Sequence, residues 1–167
     1  MSSYDIVTPI VGAQPIADTS ATQLNPLGLI VQAVDNASTA YGAGEFVYLK
    51  GLAATVVGSF VTYNADDNST TLLAANAIGP VAVAMSINLA GYYGWYQISG
   101  KVVGKALAGY ADNGLVYATA TAGSIDDAVV AGDRVKLAKG ASAVNTPSTG
   151  LAEFEMQRSF MDDATAA

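Results

Sequence analysis

The sequence has no histidine and no cysteine, and only 13% of its 167 residues are charged. Histidine is the usual proton shuttle near neutral pH and the commonest metal ligand. Cysteine supplies a strong nucleophile and the softest metal ligand. Without them, histidine-based hydrolase triads, thiol chemistry, disulfides and the common zinc sites are excluded. Cations are scarce as well: 7 Lys and Arg stand against 14 Asp and Glu, a net charge of −7. Phosphate contacts need a basic patch, so the balance disfavours nucleic acid as a partner. No glycine-rich phosphate loop occurs. No basic segment followed by an apolar one opens the chain, so no secretory signal is expected.

What is present reads as scaffold and surface. Apolar residues make up 51% of the chain, enough for a core, and 17 glycines punctuate many short apolar runs. That combination predicts an all-β fold, a small barrel or sandwich, flanked by an extended N-terminal arm and a C-terminal extension. Residues 1–40 are expected to form the arm and a first strand, 41–140 the barrel core, and 141–167 a linker and extension. The net charge is −3 over 1–40, −1 over 41–140 and −3 over 141–167. Pro9, Pro15 and Pro26 forbid a continuous helix in the first segment and interrupt strand pairing. An arm of this kind, spanning Ser2 to Thr22, finds hydrogen-bond partners on another surface; a disordered terminus is the alternative.

The clearest period lies in 81–89. Val81, Val83, Met85, Ile87 and Leu89 alternate with Ala82, Ala84, Ser86 and Asn88, which predicts a half-buried strand. Ala90 and Gly91 open a turn, and residues 95–103 return as a partner strand, giving a β-hairpin. The charge-free stretch 77–99 is therefore read as two strands rather than a membrane span; Pro80, Gly91 and Gly94 interrupt it. Strands are also predicted at 27–34, 45–50, 59–64, 115–119 and 134–138. Residues 66–69 form a turn cluster. Residues 151–161 fit both a strand period and a helical one, and strand is preferred.

Few constellations carry chemistry. Asp66-Asp67 and Asp126-Asp127 are adjacent pairs in turn-like segments. General acid–base work needs carboxylates held apart across a cleft, and the loop at 66–68 lacks the spaced ligands of a calcium-binding hand. Both pairs are read as solvated turns. Ser99 and Lys101 are two apart on one face and read as a surface stripe rather than a nucleophile and base. No catalytic, cofactor or metal residue is assigned. The most distinctive local feature is Tyr92-Tyr93-Gly94-Trp95-Tyr96. Its four aromatics suit interior packing, a subunit or partner interface, or stacking on sugar rings.

Gly44-Glu45-Phe46-Val47-Tyr48, Ile78-Gly79-Pro80-Val81-Ala82-Val83-Ala84 and Gly94-Trp95-Tyr96-Gln97-Ile98-Ser99-Gly100-Lys101-Val102 resemble the capsid decoration, or cement, proteins of tailed bacteriophages. Gly114-Leu115-Val116-Tyr117 and Gly132-Asp133-Arg134-Val135-Lys136-Leu137 extend the likeness, which covers a little over half the chain. The N-terminal arm and the acidic C-terminal extension depart from the pattern. The resemblance implies a non-enzymatic virion protein, without cofactors, on the outer surface of the capsid. Such proteins form trimers and clamp neighbouring major capsid subunits; neither nucleic acid nor membrane is an expected partner. In that reading the arm attaches by strand addition. Tyr4, Ile6, Val7, Ile10, Val11 and Ile16 of the arm, with Tyr92, Tyr93, Trp95 and Tyr96, are the candidate capsid or subunit contacts. The alternatives are a receptor- or carbohydrate-binding module of a phage fibre or tail, and another structural part of the virion.

Overall fold

A computed structural model describes residues 3–164; Ser2 of the expected arm and residues 165–167 of the expected extension lie outside the described residues. Short β-branched and aromatic runs become strands, and Gly, Asn and Asp clusters become the turns between them. The strands are β1 (Tyr4–Ile6), β2 (Thr19–Ser20), β3 (Ile30–Asp35), β4 (Ala43–Lys50), β5 (Phe60–Tyr63) and β6 (Thr70–Leu72). They continue with β7 (Ile78–Ala84), β8 (Tyr93–Lys105), β9 (Leu115–Ala118), β10 (Ile125–Asp126), β11 (Arg134–Gly140) and β12 (Leu151–Asp162). The fold is all-β, and the strand ladders are antiparallel throughout.

The main path through the sheet runs β1-β3-β4-β8-β7-β12-β11-β9-β10. Its centre is a three-way junction. The first half of β8 pairs with β4 and β7, and its second half pairs with β12. Likewise β12 pairs with β8 from Leu151 to Gln157 and with β7 from Phe160 to Asp162. Each long strand turns at a left-handed residue, Gly100 at φ +99° and Arg158 at φ +49°. At Gly100 a side chain would also begin 2.7 Å from the Ala43 carbonyl oxygen, so glycine alone fits the bend. The two bends fold the sheet over itself.

The fold encloses three apolar clusters. The first packs Phe60, Val81, Val83, Val102, Val116, Val135, Phe154 and Met156 between β5, β7, the end of β8, β9, β11 and β12. The far edge, β10, returns toward this cluster without a continuous ladder, so the sheet is not closed into a barrel. Isolated bonds span the gap: Leu107 N–H to Ile125 O at 2.9 Å, Phe60 N–H to Gly123 O at 3.0 Å, and Gly123 N–H to Leu73 O at 2.7 Å. The second cluster holds Tyr4, Ile16, Val31, Phe46, Tyr48 and Trp95, and the third Val47, Leu49, Val61, Ala82, Ala84, Tyr96 and Ile98.

Three expectations change. The strand predicted over 81–89 ends at Ala84, and both its faces are buried: Val81 and Val83 enter the first cluster, Ala82 and Ala84 the third. The alternation therefore does not mark a solvent face. The expected C-terminal extension is a strand, as preferred, but a central one, paired with β7, β8 and β11. The expected arm lies against its own sheet, with Gln14 and Ile16 buried. A division at residues 40 and 140 thus cuts through shared core.

Candidate functional site

The docked N-terminal segment accounts for several sequence-predicted contacts. Trp95 Nε1 donates to the Gln14 carbonyl at 2.8 Å, and the Tyr48 hydroxyl donates to Gln14 Oε1 at 2.7 Å. Gln14 Nε2 in turn donates to Asp18 O at 2.7 Å. A buried indole N–H and phenol both need partners, and one glutamine serves both. Tyr4 packs edge-on against Phe46, with ring centroids 4.9 Å apart. Tyr4, Ile16, Trp95 and Tyr96 are therefore core side chains and offer no surface to a partner. Ile6, Ile10, Tyr92 and Tyr93 are half-buried, and Val7 and Val11 are exposed. The structure does not bring the arm residues and the 92–96 aromatics together as one outward platform, which removes two of the four rings from any sugar-stacking role.

A different surface emerges at the end of the sheet where residues 51–57 meet residues 85–92. Asn88 is fully buried and holds the two loops together. Its Nδ2 donates to the Tyr96 hydroxyl at 2.9 Å, and its Oδ1 accepts from Thr19 Oγ1 at 2.9 Å. The Asn88 N–H reaches Thr55 O at 3.1 Å, and Gly51 N–H reaches Tyr92 O at 2.7 Å. A methyl group on Gly51 would begin 2.5 Å from the Asn88 side chain, so the fit is closed on that side. With Asn88 turned inward, its sequence neighbours turn outward: Ile87 is 59% exposed and Leu89 48%, beside Val56 at 40%. Ala53, Ala54 and Ala90 are exposed around them. No Asp, Glu, Lys or Arg occurs in 51–65 or 77–100, so the loops that build this end are apolar and uncharged. Val56, Ile87 and Leu89 are thus the candidate interaction surface.

Asn88→Ala should leave the Tyr96 and Thr19 hydroxyls without that partner and cost about 1–3 kcal/mol. Urea unfolding checks the loss, and an unchanged midpoint would remove Asn88 from this role.

Asp66 and Asp67 sit in a turn, as read from the sequence, whereas Asp126 ends β10 and Asp127 lies in the bend after it. Asp67 accepts from Ser69 N at 3.0 Å and Ser69 Oγ at 2.7 Å, and Asp127 accepts from Ala111 N at 2.9 Å. Among the described residues, no three His, Cys, Asp or Glu side chains are grouped to hold a metal ion. Lys101 is ion-paired with Glu153 at 2.8 Å and lies over the Tyr41 ring. Burial, then the bond to Glu153, pushes the Tyr41 hydroxyl up to about 12. The Lys101 side chain is thus engaged by Glu153 and the Tyr41 ring. Hydrogen bonds from Arg158, against a smaller effect of burial, hold the Glu45 carboxyl below its usual range.

The chain matches no known family model, no curated protein and no solved structure.

Sequence reasoning missed Val56, Ile87 and Leu89 as surface. Ile87 and Leu89 continue the alternation of 81–89, which by itself places them on the same face as Val81 and Val83. The available signal was Asn88: a polar amide in an apolar run, flanked by a turn, is a residue that must find partners.

Proposed function

We propose that the protein is a non-enzymatic structural component of a virion, binding the outer surface of a phage capsid as a homo-trimer and clamping neighbouring major capsid subunits. The observation that carries the reading is the uncharged apolar end formed by Val56, Ile87 and Leu89. Those side chains gain by leaving water, and no charge needs desolvating with them. The motifs of the resemblance also support it. They coincide with parts of β4, β7, β8, β9 and β11, and so extend across the sheet rather than along one hairpin. Attachment repeated at every site of a shell gives strong net binding from modest individual contacts.

The test is co-sedimentation of the protein with expanded, undecorated phage heads. Wild type is expected to bind saturably at a fixed ratio to the major capsid protein. The double variant Ile87→Asp, Leu89→Asp should remain folded, since both side chains are exposed, and bind at least about a hundredfold more weakly. Folded wild-type protein that stays in the supernatant sinks the reading.

A further inference from the structure

A second site lies where β5 and β7 part. Their pairing runs from Phe60↔Val83 to Thr62↔Val81 and stops there. The next position on β7, opposite Tyr63, is Pro80, which has no N–H to give to the ladder. Beyond it Gly79 adopts φ +133°, a conformation that side-chain-bearing residues rarely take. The strands separate, and a cleft of about 390 Å³ opens beside them. That volume is at the lower end of the range for small-molecule sites, about 300–1,000 Å³.

The chemistry of the lining narrows the ligand. Thr62, Tyr63, Asn64, Ser69 and Thr71 supply hydroxyls and an amide, and none of the lining side chains is charged. The Tyr63, Thr62 and Thr71 hydroxyls and Asn64 Nδ2 have no hydrogen-bond partner among the described residues. Asn64 Oδ1 is engaged with Asp66 N at 2.9 Å, which fixes the amide at the cleft edge. Arg158 is already held by Glu45 through two bonds of 3.0 Å, and neither Asp66 nor Asp67 lines the cleft. An anion would find no free cation in the lining, and a cation no carboxylate. Unpaired neutral donors and acceptors beside one aromatic ring and Pro80 suit a polyhydroxylated ligand. Its hydroxyls exchange water for protein partners, and its C–H face packs on the apolar groups.

We propose that this cleft binds a neutral saccharide. The site is separate from the apolar end of the sheet and does not depend on capsid binding. The experiment screens the full-length protein on an array of neutral and acidic glycans, then titrates ¹⁵N-labelled protein with the best neutral glycan. The expected result is saturable shifts confined to the amides of residues 62–71, 78 and 79. The double variant Tyr63→Phe, Thr71→Ala removes two unpartnered hydroxyls. It should weaken the neutral glycan at least about tenfold, with thermal unfolding and head co-sedimentation unchanged. No neutral glycan bound, binding of acidic glycans only, shifts centred elsewhere, or full affinity in the double variant would each overturn the proposal.

Discussion

A chain ending at Gly150 is expected not to fold. The lost segment contains β12, which pairs with three strands and buries Ala152, Phe154, Met156 and Met161 in the largest cluster. Removing it opens the edges of β8 and β11 and exposes Phe60 and Tyr110, whose rings lie 5.2 and 5.3 Å from that of Phe154. A single Phe154→Ala substitution already costs about 3–5 kcal/mol, against a total stability of about 5–15 kcal/mol for a domain. The truncated chain should lose its near-ultraviolet circular dichroism and its cooperative thermal transition, and the point variant should keep both with a lower midpoint. A cooperative, wild-type-like transition in the truncated chain would show that β12 is an appendage after all.

That expectation reverses the reading from sequence, and the reason is physical. Strands are local: β-branched runs at 45–50, 59–64, 115–119 and 134–138 mark β4, β5, β9 and β11 within a residue or two. Pairing is not local. Nothing in 151–161 indicates that its first half meets β8 and its second half β7, because the switch depends on the left-handed backbone of Arg158. Sequence offers a hint for Gly100, since glycine is the usual residue at such a bend, but none for an arginine. The same limit explains the aromatics at 92–96. Trp95 and Tyr96 are neighbours on opposite faces of β8, and each is buried because a different apolar cluster covers each face. One-sided burial was a fair expectation from alternation alone; two-sided burial follows only once the sheet is folded over. The candidate surface was illegible for a related reason. The alternation through 81–89 continues past the end of β7 at Ala84, into a loop where Asn88 is drawn in by Tyr96 and Thr19.

Deleting residues 1–22 should damage the fold rather than release a passive arm. The deletion removes Gln14, which receives the Trp95 indole N–H and the Tyr48 hydroxyl, and Ile16, which is 2% exposed. Two buried hydrogen bonds at about 1 kcal/mol each and one buried isoleucine at about 1.5–3 kcal/mol set a loss on the order of 4 kcal/mol. Trp95 is the only tryptophan in the chain, so its fluorescence reports on this cluster alone. Emission should shift to the red in the deletion variant, and the unfolding midpoint should fall. Unchanged emission and midpoint would return the segment to the role of a free arm. The consequence for function is direct. Lost head binding by the deletion variant does not separate attachment from folding, because Thr19, which pins Asn88 beneath Ile87 and Leu89, is lost with it. Val7→Asp with Val11→Asp makes the separation, since both side chains point to solvent and neither joins a core cluster. If the N-terminal segment itself touches the capsid, that variant binds weakly with Trp95 emission unaltered. If the segment only supports the apolar end of the sheet, the variant binds as wild type does, and Ile87 and Leu89 carry the contact.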